Sequence, residues 1–281
     1  MNVDFSWLEV DSLRKELENG SGFSFFSNPV DESVLLSDPK NYFLELSKRI
    51  GYPLSQSIHG ERILDVRDRA YSKNDQRARG PYSNRKLGFH TDRCDVIGFL
   101  CLQPAANGGE NQIVSSESVQ KIIKKERPDL HDILCQAFPY KRHVIDSLNP
   151  LPYCLQPIFS MTDGFFACSY LRVLIERAHQ DPDCPNLSNL QMESIDFLDS
   201  VCERKEIQTR ITLKRGDLLF LNNWTTLHRR TSFEDFPEED RKRHFLRVWL
   251  SMPENRPLAP SFMDNFGSVA AGQIRGGIQT Q

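Results

Sequence analysis

The chain has 281 residues, a formal net charge of −3 and a pI near 6.2. This length allows one large domain or two small ones with a sizeable core, and the mild acidity argues against nucleic acid as the main partner. No run approaches the roughly 18 uncharged apolar residues of a membrane-spanning helix, and nothing at the N-terminus predicts a secretory signal. Seven cysteines without a CxxC pair favour reduced thiols over a disulfide framework. We therefore expect a cytoplasmic globular protein that binds neither nucleic acid nor membrane.

The first 60 residues predict elements that pack around a catalytic sheet. Apolar spacing indicates a helix over 7–17, which ends at the stop signal Asn19-Gly20. A strand is predicted over 23–26, and a second amphipathic helix runs over 42–50 and is closed by Gly51.

Residues 61–86 are rich in acidic and basic side chains, which predicts a solvated loop. A second interpretation is that this segment covers a site, because a motif with metal-ligand chemistry follows it directly. Tyr82, Ser83, Asn84 and Arg85 would then be its contributors to substrate binding.

That motif is Leu87-Gly88-Phe89-His90-Thr91-Asp92-Arg93-Cys94-Asp95. On an extended strand, His90 and Asp92 project to the same face because side chains alternate with a period of two. A third candidate ligand, His228, lies far downstream after Asn222-Asn223. Two histidines and one carboxylate form the facial triad of non-haem Fe(II) oxygenases.

The rest of the chain predicts short strands and a few helices, so we expect a sandwich or barrel with helices outside it. A capping box at Ser188-Asn189-Leu190-Gln191 begins a helix with Ile195, Leu198 and Val201 on one stripe. The other predicted elements are strands over 96–102, 111–114, 155–159, 165–170, 209–213, 217–221 and 245–250, and a helical stretch over 116–138 broken at Pro128.

Three further features accompany the candidate ligands in a fixed order: the turn Gly108-Gly109-Glu110-Asn111, the turn Gly216-Asp217 before Asn222-Asn223, and Arg243 after His228. Together they closely resemble the taurine dioxygenase-like (TauD/TfdA) family of Fe(II)- and 2-oxoglutarate-dependent oxygenases. The resemblance covers about residues 82–257, and the ending Gly272-Gln273-Ile274-Arg275-Gly276-Gly277-Ile278 is also similar to that of family members. No single feature is specific, but their combination is.

The resemblance implies a mainly β fold with flanking helices and a distorted double-stranded β-helix (jelly-roll) core. We expect a single domain over 1–281. Within it, 1–60 would be N-terminal packing elements, 61–86 an active-site loop, 87–252 the catalytic core and 253–281 an irregular tail.

The resemblance also implies roles for individual residues. His90, Asp92 and His228 would hold Fe(II), and Arg243 would pair bidentately with the distal carboxylate of 2-oxoglutarate, which suits a planar guanidinium. Asn111 stands where the family has a threonine that helps to hold this carboxylate, and an amide can also donate a hydrogen bond.

The substrate contacts are less closely defined. Arg247 would face the same side as Arg243 on a regular strand, where it either meets an anionic group of the substrate or pairs with a carboxylate of the barrel. His244 would then face away from the iron. Tyr82, Asn84 and Asn223 are further candidates for substrate binding.

The implied reaction consumes O₂ and 2-oxoglutarate, releases succinate and CO₂, and oxidises an unactivated C–H bond of a small anionic or zwitterionic molecule. Because Asp92 is a carboxylate, hydroxylation is favoured over halogenation, while desaturation and oxidative cyclisation stay open. A non-catalytic jelly-roll binding protein would explain the strands but not the complete set of site residues. A zinc hydrolase would leave Arg243 without a role. A homo-oligomer is left open.

Overall fold

The computed structural model describes residues 5–71, 80–142, 145 and 151–279. Strands build its centre, and helices pack against them. The strands are β1 Phe23–Phe26, β2 Tyr52–Pro53, β3 Ile63–Val66, β4 Val96–Gln103, β5 Asn107–Gly108, β6 Asn111–Ser115, β7 Phe138–Lys141, β8 Tyr153–Gln156, β9 Phe159–Thr162, β10 Phe165–Cys168, β11 Gln208–Ile211, β12 Leu218–Asn222, β13 Thr226–Arg230, β14 Phe233–Glu234 and β15 His244–Ser251. The helices are α1 Val10–Asn19, α2 Glu32–Ser37, α3 Pro39–Ile50, α4 Ser116–Glu126, α5 Pro128–Leu134, α6 Arg172–His179, α7 Asn189–Cys202 and α8 Met263–Phe266.

Two antiparallel sheets organise the molecule. The large sheet has the order β1-β12-β4-β15-β2, with β3 also paired to β15, and the small sheet has the order β11-β6-β13. An isolated bridge between His90 and His228 attaches the motif segment to the small sheet. The motif therefore joins the edge of a sheet through one residue pair. The sequence had predicted that it lies on a regular strand, and this prediction was wrong.

Side chains along β15 alternate between two apolar clusters. Leu246 and Val248 pack with residues of α1 and α3, whereas Phe245 and Trp249 pack in a cluster that reaches the small sheet. Since alternate residues of a strand share a face, Arg247 projects into the space between the sheets with Phe245 and Trp249. This alternation positions the site residues of β15.

The N-terminal third of the chain differs in part from expectation. β1 and β2 are strands of the large sheet, so residues 1–60 do more than pack around it. Ile63–Val66 forms β3 against β15, because every second side chain in this charged segment is apolar and buried. The prediction of a loop over all of 61–86 was therefore wrong at 63–66. Its charged residues 73, 75, 77 and 79 lie outside the described residues.

Most other predicted elements are present, with shifted ends. The capping box at Ser188 and Gln191 is confirmed, with both reciprocal hydrogen bonds. The helical stretch 116–138 ends at Leu134, since Phe138 begins β7, and the predicted strand 155–159 divides into the end of β8 and the start of β9. None of the helices in the described ranges is long and apolar enough to cross a membrane.

Candidate active site

Three side chains from two distant parts of the chain converge at the junction of the motif with β13. One ligand atom from each of His90, Asp92 and His228 lies within 4.8 Å of the other two. Asp92 Oδ2 is 3.8 Å from His90 Nε2 and 3.3 Å from His228 Nε2. The antiparallel bridge fixes this arrangement, because His90 and His228 exchange both backbone hydrogen bonds at 3.0 Å.

The hydrogen bonds made by His90 and Asp92 do not use the ligand atoms that face one another. His90 Nδ1 lies 2.9 Å from the carbonyl oxygen of Gly88, so this nitrogen donates and Nε2 keeps its lone pair. The backbone N–H of Asp92 donates to Asn223 Oδ1 at 2.9 Å. Asp92 Oδ2 is buried and has no hydrogen-bond partner among the described residues. A buried carboxylate oxygen between two imidazole nitrogens fits a divalent metal ion of the Fe(II) class.

The protonation states also favour metal binding. Burial, reinforced by the positive character of His228, lowers the pKa of His90 to about 4, so its imidazole is neutral near pH 7. Burial alone would raise the pKa of Asp92, but His228 and Arg247 outweigh it and hold this pKa well below its usual range. The site therefore presents a neutral His90 and an ionised Asp92, which are the forms that ligate metals.

Arg243 is a buried cation without a counter-ion in the described part of the chain. Its side chain lies against the rings of Phe245 and Phe233, with its guanidinium carbon 3.8 and 5.0 Å from their centroids. Its exposed fraction is 3%, and within the described residues its guanidinium has neither a hydrogen-bond acceptor nor an ion-pair partner. Burial and the nearby Arg230 lower the pKa of Arg243 to about 9, so it stays charged at neutral pH. A desolvated, unpaired guanidinium fits the carboxylate of a cosubstrate.

The turn before β6 makes room for this arginine. Gly109 has φ +73°, and a Cβ there would lie 3.4 Å from both Arg243 Nε and Phe233 Cβ. Gly108 has φ +71°, and a Cβ there would lie 2.3 Å from the carbonyl oxygen of Ser232. Only glycine fits such positions without strain. The Gly-Gly pair thus lets the chain pass beside the arginine.

Asn111 begins β6 and lies opposite Arg230 of β13 in the small sheet. It is buried, and its Nδ2 donates to the carbonyl oxygen of Ile211 at 3.4 Å. The adjacent facing pair is Ile113 with His228, so Asn111 is on the same face as His228, two residues further along the sheet. Its contact with 2-oxoglutarate stays a prediction.

Arg247 points its guanidinium toward Asp92 in the space between the two sheets. Nη1 lies 3.7 Å from Asp92 Oδ1, and the guanidinium carbon is 4.9 Å from the ring centroid of Trp249. Nε donates to Gln56 Oε1 at 2.7 Å, while Gln56 Nε2 donates to the carbonyl oxygens of Arg247 and Arg62. The glutamine therefore fixes the arginine with its two terminal nitrogens directed past the carboxylate of Asp92.

Comparison with known proteins agrees with this geometry. The chain matches the family model described as "Taurine catabolism dioxygenase TauD, TfdA family" over residues 2–249. It belongs to the TauD/TfdA family. The predicted enzyme class, a non-haem iron, 2-oxoglutarate-dependent oxygenase, is thereby confirmed, together with the predicted cofactors Fe(II) and 2-oxoglutarate.

Individual TauD/TfdA relatives are distant. FR-33289 synthase of Streptomyces rubellomurinus is 24% identical over 254 residues, which cover 88% of this chain and 74% of that protein. The γ-butyrobetaine dioxygenase of Homo sapiens is 26% identical over 212 residues, or 70% of this chain and 51% of that protein.

An asparagine oxygenase solved with Fe(II), 2S,3S-3-hydroxyasparagine and succinate has a TM-score of 0.67 at 14% identity, covering 86% of this chain and 78% of its own. The non-heme iron oxygenase OrfP, solved with Fe and alpha-ketoglutaric acid, has a TM-score of 0.59 at 16% identity, covering 89% and 81%. The two solved structures share the fold of this chain.

One of the predicted substrate contacts requires correction. Asn223 is buried with 1% of its surface exposed, and its amide supports Asp92 and donates to Cys94 Sγ at 3.1 Å. Its amide thus positions a candidate ligand and has no open side for a substrate. Asn84 is exposed and its backbone carbonyl accepts a hydrogen bond from Phe233, so a substrate contact of its side chain stays a prediction.

Burial raises the pKa of the Tyr82 phenol, and its contact with a substrate stays a prediction. His244 faces away from Arg247, as predicted. His244 Nε2 lies 2.8 Å from Asp65 Oδ1, on the opposite face of β15 from Arg247. No role in catalysis follows for His244.

Sequence reasoning missed the cluster that holds the motif from behind. Asp95 accepts hydrogen bonds from Arg275 Nε at 2.7 Å, and from Trp224 Nε1, the Met252 backbone and Asn255 Nδ2 at 2.8 Å each. Its own carbonyl accepts from the backbone N–H of Asn223. Arg275 comes from the C-terminal tail, which had been predicted to be merely irregular. Asp95 is the last residue of the motif and directly precedes the apolar run 96–102, so a carboxylate at this position was the signal that could have indicated a distant partner.

Proposed function

We propose that the protein hydroxylates an unactivated C–H bond of a small, carboxylate-bearing or zwitterionic molecule, using Fe(II), 2-oxoglutarate and O₂. The observation that carries this proposal is the convergence of three ligand atoms within 4.8 Å of one another beside a buried, unpaired Arg243. We also propose that the two sheets are the halves of the predicted distorted double-stranded β-helix, with the site at one end.

His90, Asp92 and His228 are the proposed metal ligands. The carbonyl of Gly88 fixes the tautomer of His90, and Asn223 holds the backbone of Asp92. These three side chains would hold the ion and would leave coordination positions open for the cosubstrate and oxygen. When bound there, iron and 2-oxoglutarate supply the oxidant for C–H cleavage, while the chain supplies orientation and exclusion of water. The carboxylate of Asp92 fills the third ligand position, which supports hydroxylation as the reaction.

Arg243 is the proposed anchor of 2-oxoglutarate. Burial has removed the water that would otherwise solvate its guanidinium, so a carboxylate gains two charge-assisted hydrogen bonds without competition from solvent. Phe245 and Phe233 flank the guanidinium and restrict its motion. Asn111 is the proposed second donor, in the position of the family's threonine.

Arg247 is the proposed receptor for an anionic group of the substrate. Gln56 occupies Nε and leaves both terminal nitrogens to the pocket, and the ion pair with Asp92 at 3.7 Å is too long for a hydrogen bond. A substrate carboxylate held there would place its neighbouring C–H bonds close to the metal ligands, as a near-attack geometry requires. The names of the related proteins, which refer to asparagine, hydroxy-L-arginine and γ-butyrobetaine, support a substrate of this class.

The location of the protein is a related proposal. All seven cysteines are free thiols, and six of them are buried. This pattern is typical of a reducing compartment, and we propose a cytoplasmic protein.

The first prediction tests the proposed function. We expect the wild-type protein, with Fe(II) and ascorbate in air, to convert 2-oxoglutarate to succinate, with stimulation by a subset of amino acids and betaines. His90→Ala should lose this activity almost completely because two ligands are left for the ion. The control is His131→Ala, since His131 contacts Gln120 and Phe159 away from the site. Equal succinate release by wild type and His90→Ala would contradict the proposal.

The second prediction concerns Arg247. We expect Arg247→Met to raise the KM for the substrate about tenfold or more, because a charge-assisted hydrogen bond is worth about 1.5–3 kcal/mol. The KM for 2-oxoglutarate should change less than threefold. We expect Gln56→Leu to act in the same direction with a smaller effect, because it frees the arginine without removing it. A larger effect of Arg247→Met on 2-oxoglutarate than on substrate would refute this assignment.

A further inference from the structure

Arg230 is a second buried guanidinium at the same end of the pocket as Arg243. It is two residues after His228 on β13, so both side chains project to one face of the small sheet, about 7 Å apart along the strand. Asn111 lies directly opposite Arg230. The guanidinium carbons of Arg230 and Arg243 are 4.6 and 5.0 Å from the ring centroid of Phe233. Arg230 and Arg243 therefore lie in one cluster around the ring of Phe233.

The two ends of the Arg230 guanidinium have different surroundings. Nη2 donates to the carbonyl oxygens of Ser83 and Arg85 at 2.9 and 2.8 Å. Nη1 is buried and has no hydrogen-bond partner among the described residues. Only 6% of the residue is exposed, so this nitrogen requires an acceptor that the described chain does not provide.

The same arginine holds the segment 83–87 against the small sheet. Besides its two side-chain contacts, its carbonyl accepts a hydrogen bond from the N–H of Leu87 at 3.0 Å, and Phe233 donates to the carbonyl of Asn84 at 3.1 Å. The segment continues to Gly88, whose carbonyl fixes His90. Seating of 83–87 and the geometry of the metal side are therefore linked through the chain.

Arg230 and Arg243 both lie near the ring of Phe233 and have no carboxylate partner among the described residues, which is unfavourable unless an anion lies between them. Burial lowers the pKa of Arg230 to about 10, with Asp68 and Asp235 acting in the opposite direction, and the charge of Arg230 in turn lowers the pKa of Arg243. Breaking or omitting one partner of a buried ion pair leaves an uncompensated charge, which is costly. A carboxylate between the two guanidinium groups would offset that cost for both.

We propose that Arg230 binds the distal carboxylate of 2-oxoglutarate through Nη1 together with Arg243, and that it couples cosubstrate binding to the seating of residues 83–87. This inference rests on the proposed function, because it takes 2-oxoglutarate as the ligand of that pocket. The coupling is reciprocal. If bound 2-oxoglutarate stabilises residues 83–87 against the small sheet, then residues 83–87 in that position raise the affinity for 2-oxoglutarate by the same factor.

The test uses the full chain with Fe(II) under anaerobic conditions and two readouts that do not require turnover. One is the affinity for 2-oxoglutarate by titration calorimetry, and the other is hydrogen exchange of the peptide that contains 83–87. In the wild type, 2-oxoglutarate should slow this exchange several-fold. Arg230→Met should bind 2-oxoglutarate about tenfold or more weakly and show no protection of the peptide at saturating ligand. Arg230→Lys should have an intermediate affinity and intermediate protection, since lysine keeps the charge but lacks the two separate terminal nitrogens of the guanidinium.

The control is Arg256→Met. Arg256 is equally buried, but its guanidinium donates to Glu18 and to the carbonyl oxygen of Phe166, and none of these contacts involves residues 83–87. Its replacement should leave both the affinity and the protection within twofold of the wild type. If Arg230→Met retains wild-type affinity, or retains the protection of 83–87, the inference is overturned. If the wild type binds no 2-oxoglutarate at all, the proposed function itself fails, which is a different result.

Discussion

Replacing Arg243 by methionine is expected to weaken 2-oxoglutarate binding by at least about 100-fold while leaving metal binding nearly intact. Two charge-assisted hydrogen bonds are together worth about 3 kcal/mol or more, which corresponds to a factor of about 100 or more in the dissociation constant. The metal should still bind, because Arg243 contacts none of the three candidate ligands. Anaerobic calorimetric titrations with Fe(II) and then with 2-oxoglutarate would measure both affinities.

The stability of the same variant distinguishes loss of binding from loss of folding. Arg243 is buried without a counter-ion in the described part of the chain, so replacement by an apolar side chain of similar length should not lower the melting temperature of the ligand-free protein. Arg241→Met is the control, since Arg241 is half exposed and pairs with Glu238 on the surface. An unchanged affinity of Arg243→Met for 2-oxoglutarate would show that another cation is the anchor.

Replacing Arg275 by methionine is expected to lower the free energy of unfolding by about 3–5 kcal/mol, because it leaves the buried carboxylate of Asp95 without its counter-charge. Arg275 also donates to the carbonyl oxygen of Arg256 at 2.7 Å, and this hydrogen bond links two parts of the C-terminal tail. The loss should extend to the site, since the Asp95 backbone positions Asn223, and Asn223 positions Asp92. Urea denaturation and an Fe(II) titration would measure the two effects.

A double variant sharpens this prediction. Asp95→Asn together with Arg275→Met removes both charges, so its cost should be smaller than the sum of the two single costs. Arg210→Met serves as the surface control and should change stability by no more than about 0.5 kcal/mol. A loss below about 1 kcal/mol in Arg275→Met would mean that the ion pair does not support the motif.

The metal side of the site could be predicted from the sequence because its chemistry restricts the residue types. An imidazole and a carboxylate two residues apart, with a late histidine, already describe half of an ion's coordination. The structure brings His90, Asp92 and His228 together. It does so through a single β-bridge, where the sequence had suggested a regular strand. Arg243 lies just before β15, against the ring of Phe245, whose side chain is on the same face of the strand as Arg247.

The elements that hold the site were not readable from the sequence. Gln56 and Arg275 are far from the motif along the chain, and neither has a local pattern that predicts burial. The strand β3 depended on which neighbours were available for pairing, and pairing is decided by tertiary contacts.

The sequence by itself determined the chemical class of this protein, because the candidate ligands, the proposed cosubstrate arginine and the turn glycines follow one another in an order that resembles one family. Only the tertiary structure decided which buried charges have partners. It paired Asp95 with Arg275, and in the described chain it left Arg230 and Arg243 without carboxylates. Burial and distance between residues far apart in the chain set the energy of a charge in the folded protein, and a linear pattern of residues carries neither quantity.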